Sequence, residues 1–140
     1  MDAAAIALLF RLITLGTRSL LQYVSESSPW SAEKGHAAAE AIVSMARAER
    51  DEVARLTRIL QKKRVRMPAA ASYPSHFTTM NYVTVDYLTP KLIAEHEMEI
   101  AEIERQLHEV DADEIRGLVE SHLAMKRRHL DALRQLTPVV

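Results

Sequence analysis

Two glutamates stand where a helix should present apolar side chains. Read at helical spacing, one stripe runs Ile42, Met45, Glu49, Glu52, Leu56 and then Ile59 or Leu60. An unpaired carboxylate in a core costs several kcal/mol or takes up a proton. Something must therefore compensate Glu49 and Glu52. Two further stripes carry ionisable residues near their middles. One reads Leu92 or Ile93, Glu95 or His96, Glu99 or Ile100, Ile103, Leu107. The other reads Ile115, Leu118 or Val119, His122, Met125 or Lys126, His129, Leu133, Leu136. Carboxylates and imidazoles projecting inward at one height of a helical assembly suit iron, manganese or zinc, whose charge offsets several carboxylates. Two plainer readings stand beside this one. A glutamate at a stripe margin packs its stem and keeps its head in water. Alternatively Lys126 supplies the balancing charge, and the cluster holds no metal.

The elements that would position these residues are all helical. Ala, Leu, Glu, Arg and Met dominate, glycine and proline are sparse, and no alternating strand pattern competes. The first helix is expected from about Ala3 to Ser27, and the second from about Ala32 to Lys63 with Ser28 or Ser31 as its cap. The run 64–79, with two prolines and no period, reads as a connection. The third helix starts near Asn81 with a kink at Pro90, or afresh with Thr89 as cap, and ends near Val110. Asp111 and Glu114 read as a capping box opening a fourth helix to about Leu136. Short turns within each pair and a long link between the pairs predict a single all-α domain over 1–140. Its expected form is an antiparallel four-helix bundle with one long crossover between the second and third helices. Gly16, mid-helix where glycine costs about 1 kcal/mol relative to alanine, marks a close approach or needed space.

At 140 residues the chain is long enough for a substantial core, and its formal charge of −1 gives no nucleic-acid footprint. The absence of cysteine excludes disulfides and thiolate metal sites and fits a cytoplasmic protein. The N-terminus lacks a basic lead-in and Arg11 interrupts its apolar run, so neither a signal peptide nor a membrane span is expected. His36, His76 and His108 fall where solvent is expected, and the basic run 61–66 complements a helix C-terminus. Trp30, Tyr73 and Phe77 would frame any separate substrate pocket.

The layout resembles the ferritin-like superfamily of the bacterioferritin and rubrerythrin kind. There, each half supplies a Glu from one helix and a Glu-x-x-His from the next, together holding two irons. The run LGTRSLLQYV is similar to the family's first helix around a Gln-Tyr pair, here Gln22 and Tyr23, but the first ligand glutamate falls at Gly16. Glu49 matches the next motif, with Glu52 in place of its histidine. In LIAEHEMEI, Glu95 takes the bridging position. In MKRRHLDAL, His129 is kept and Lys126 replaces a glutamate. The resemblance implies either a metal held by Glu49, Glu52, Glu95 and His129, aided by Glu99 or His122, or a metal-free cluster in which Lys126 does the cation's work. It also implies a homo-oligomer, most simply a homodimer, with no nucleic-acid or membrane partner. No iron-storage shell is expected, since the chain ends soon after the fourth helix, without the short fifth helix of cage-forming relatives.

Overall fold

In the computed structural model, residues 1–27, 36–67, 72–80, 85–110 and 113–136 are described, and among them there is helix and no strand. The chain is all-α. Helix α1 spans Ala3–Thr17, α2 Leu20–Ser27, α3 His36–Lys62, α4 Val85–Glu109 and α5 Asp113–Leu136, with a 3-10 helix at Ser75–Met80 between α3 and α4. The most extensive packing joins α4 to α5 and α1 to α3. Helix α3 also packs on α2 and α5, and α4 on α1 and α2.

The first helix departs from expectation, because it is two helices. Asp2 caps α1, its carboxylate accepting from the Ala5 N–H at 2.8 Å. The helix closes at Arg18, whose N–H reaches the Thr14 carbonyl, and Ser19 then restarts it. The Ser19 hydroxyl accepts from the Gln22 N–H at 3.1 Å, a serine N-cap three residues ahead of its donor. Taken together, Ala3–Glu26 is long and apolar enough to cross a membrane, an 18-residue window within it having a mean hydropathy of 1.6. That corrects the expectation that no segment reaches this measure. Half of that window is buried in the protein.

Helix α3 ends one residue from the expected place, by a Schellman turn. The Val65 N–H reaches the Leu60 carbonyl and the Arg64 N–H that of Gln61, with Arg64 at φ 57°. Helix α4 begins at Val85, so Pro90 lies inside it and does not open it, and the alternative with Thr89 as cap is set aside. A proline this close to a helix start deletes only one early backbone bond. The expected caps at Ser28, Ser31 and Asp111, the start at Asn81 and the position of Trp30 fall outside the described residues.

The interior holds two apolar clusters. One gathers Leu9, Leu12, Leu56, Leu60, Ile103, Leu107, Ile115 and Val119 with their neighbours. The other gathers Leu21, Val24, Ile42, Met45, Phe77, Leu88, Leu92 and Leu133. Gly16 is buried where α1 meets α3, and an added Cβ would collide with a Val53 methyl. The mid-helix glycine therefore marks a close approach of helices.

Candidate functional site: a buried lysine–glutamate centre

Ser19, Gln22, Glu49, His96, Glu99, His122, Lys126 and His129 are all buried; Glu49, His96 and Glu99 fall in the chain between stretches that feed the two apolar clusters, and Lys126 is flanked on its helix by Leu123 and Leu130 of the first. Each comes from a helix whose neighbouring turns are apolar, so the fold removes them from water whether or not they are charged. Lys126 is at the centre and is fully buried. Its ammonium donates to Glu49 Oε2 at 2.7 Å and to Glu99 Oε2 at 2.5 Å, joining α5 to α3 and α4. The other Glu49 oxygen accepts from the Ser19 hydroxyl at 2.5 Å and from Gln22 Nε2 at 3.0 Å. Gln22 Nε2 also donates to the Ala46 carbonyl at 2.7 Å. The helix break at Arg18–Ser19 thus has a purpose in the geometry: one hydroxyl caps α2 and neutralises a lone pair of Glu49.

The two carboxylates differ because their donors differ. Burial pushes Glu49 upward, but the Lys126 charge and hydrogen bonds from Lys126, Ser19 and Gln22 outweigh it and hold Glu49 below the usual range. Glu99 is subject to the same burial, with Lys126 as its one strong donor and the negative charge of Glu49 opposing it. Its carboxyl is pushed up to about 7. Burial also opposes the charge on Lys126, yet the two glutamates facing it raise its pKa above the ordinary value, so it stays an ammonium. Lys126 therefore pairs fully with Glu49, while Glu99 shares its place with a proton near neutral pH.

The imidazoles add no second cation. Burial, then the Lys126 charge, pushes His96 and His122 down to about 4, and burial also lowers His129. The Nδ1–H of His96 donates to the Leu92 carbonyl at 3.0 Å, which leaves Nε2 as a bare lone pair. Among the described residues that atom, His129 Nδ1 and both nitrogens of His122 are buried without hydrogen-bond partners. The rings of His96 and His129 lie 6.3 Å apart.

The four residues expected to ligate a metal occupy different surroundings. Glu49 is bound to Lys126, Ser19 and Gln22. Glu52 is partly exposed and turns to Arg55 at 2.6 Å, with His122 Nδ1 at 3.7 Å, too long for a hydrogen bond. Glu95 is half-buried and lines a surface cleft, and His129 is buried beside His96. Among the described residues no three histidine or carboxylate side chains are placed to hold a metal ion. As they stand, the donors do not fit a dication, whose place beside Glu49 and Glu99 is filled by an ammonium.

No protein-family model, curated protein or solved structure matches this chain. The centre must be read from its own chemistry.

Sequence reasoning placed Glu49, Lys126 and His129 in the centre and treated Glu99 as an auxiliary. It missed Ser19, whose signal was available: Ser19-Leu20-Leu21-Gln22 has the spacing of a capping box. Gln22 was noted only through the family resemblance, and its amide proves to bind Glu49 directly.

Proposed function

We propose that this protein is a non-catalytic, ferritin-like antiparallel bundle, with its crossover between α3 and α4, in which Lys126 takes the cation's place and the polar centre serves structure rather than redox chemistry. The observation that carries this reading is the fully buried Lys126 ammonium within hydrogen-bond distance of both Glu49 and Glu99. A buried ammonium flanked by two carboxylates balances their charge without any ion from solvent. It also repels a divalent cation from the same space. A raised Lys126 pKa makes it a poor nucleophile or base, which argues against covalent or general-base chemistry at this residue.

Elemental mass spectrometry on protein purified without chelator or affinity-tag metal tests this. The wild type should carry far less than one equivalent of iron, manganese or zinc. Lys126→Glu, which adds a third carboxylate, should depend on added Mn²⁺ or Zn²⁺ for its thermal stability. Near-stoichiometric metal in the wild type would return the reading to a metal site built from Glu49, Glu52, Glu95 and His129.

A further inference from the structure

A cleft of about 170 Å³ opens on the α1–α4 side of the charged centre. Its most buried lining residues are Ser19, Glu99 and Phe77, and its walls include Arg18, Glu95 and Met98. This is well below the ~300 Å³ at which sites for drug-sized ligands begin, so it suits a molecule of a few heavy atoms. Arg11 and Glu102 also line it, but they neutralise each other at 2.8 Å.

Of the remaining charges of the cleft, Glu99 is already bound to Lys126, and Arg18 and Glu95 are not matched. Arg18 Nε is buried and has no acceptor among the described residues. A buried N–H without a partner is costly, and a guanidinium fork is shaped to receive a carboxylate. Among the described residues the carboxylate of Glu95 has no hydrogen-bond partner; burial raises its pKa, with the charges of His76 and Lys126 acting the other way. An anion alone would meet Arg18 but also Glu95 and Glu99. A cation alone would be opposed by Arg18. A molecule carrying both charges a few bonds apart answers both walls at once.

We propose that this cleft binds a small zwitterion of the α-amino-acid class. Its carboxylate pairs with Arg18, its ammonium faces Glu95, and Phe77 and Met98 receive a short apolar side chain. Arg18 and Glu95 take no part in the Lys126 hydrogen bonds, so this site stands apart from the role given to the charged centre.

The test is an amide chemical-shift titration of the full ¹⁵N-labelled chain with glycine, L-alanine and L-valine. Acetate and methylammonium serve as single-charge probes. At least one amino acid should give saturable shifts around residues 15–19 and 95–99 at or below about 10 mM. Acetate and methylammonium should bind at least about ten-fold more weakly. Arg18→Gln and Glu95→Gln should each weaken binding about ten-fold or more, with unchanged helical circular dichroism. Should Arg18→Gln fail to fold, Arg18→Lys, which keeps the charge but loses the fork, and Glu95→Gln carry the test. Absence of saturable binding by every amino acid, equal binding of acetate, or wild-type affinity in Arg18→Gln would each overturn the proposal.

Discussion

Replacing Lys126 by methionine keeps most of the side-chain volume and removes the buried cation between Glu49 and Glu99. Two buried carboxylates then remain: Glu49 retains donors from Ser19 and Gln22, and Glu99 loses its one donor among the described residues. Removing one partner of a buried ion pair costs about 3–5 kcal/mol. That is a large share of the ~5–15 kcal/mol that holds a domain of this kind together. Here the cost should be pH-dependent. Without the ammonium both carboxyls bind protons more tightly folded than unfolded, and each unit of upward shift adds about 1.4 kcal/mol in favour of the protonated fold. The deficit should therefore be largest near pH 8 and shrink as pH falls toward 5. Urea unfolding followed by far-ultraviolet circular dichroism at the two pH values measures it directly. The neutral triple variant Glu49→Gln, Glu99→Gln, Lys126→Met should recover much of the loss, since it leaves no buried charge. A cost below about 1 kcal/mol at pH 8, or a deficit that does not change with pH, would refute the assignment of Lys126 as the balancing charge.

The remaining expectations concern single sites. In the wild type, burial pushes the Glu99 carboxyl up to about 7 from its ordinary value of 4.5. A raised acid contributes stability that is complete below pH 4.5 and is lost as pH rises through 7, about 3 kcal/mol in all, and Glu99→Gln should abolish that slope in a pH series of unfolding curves. Glu49 acts with the opposite sign, its contribution being present above pH 4.5 and lost as pH falls through its lowered pKa. Gly16→Ala should destabilise by about 1–3 kcal/mol through the clash with Val53, net of any gain in helix propensity, and Val53→Ala in the same chain should relieve it. Gly117→Ala, whose Cβ meets nothing within 4 Å, should instead stabilise by about 0.5–1 kcal/mol, and thermal melts of the two glycine variants should move in opposite directions. Ser19→Ala loses both the α2 cap and a donor to Glu49 and should cost about 1–3 kcal/mol by urea unfolding; a change under about 0.5 kcal/mol would deny Ser19 both roles.

Helical periodicity made much of this legible. On α3 the stripe Ile42, Met45, Glu49, Leu56, Leu60 is buried as its spacing implies, and on α5 the stripe carries His122, Lys126 and His129 inward. On α4 the same reasoning left Glu95 or His96 and Glu99 or Ile100 open, because neighbouring positions differ by only 100° around a helix. Packing settled it, burying His96, Glu99 and Ile100 and leaving Glu95 at the margin. The break before Ser19 was hidden by continuity of apolar residues on both sides, since Leu15, Leu20 and Leu21 fit one long helix as well as two. What no periodicity expresses is partner choice. Glu52 looked equivalent to Glu49 along the stripe, but it is partly exposed and lies within reach of Arg55 on its own helix, so it pairs locally. The charge state of the histidines was likewise beyond the sequence, because it depends first on how deeply each ring is buried and then on the nearby Lys126 charge.

The charged stratum between two aliphatic halves also bears on how α5 is held in register. Leucine and isoleucine faces are forgiving: a helix slid by one turn, 5.4 Å, can set one aliphatic side chain where another was. Lys126 has no such freedom. The same slide would lodge its ammonium among the leucines and strand Glu49 and Glu99 without a donor, a double penalty that no apolar contact repays. Because the three charges come from three different helices, they fix the axial positions of α3, α4 and α5 relative to one another, a task for which the greasy layers above and below are poorly suited.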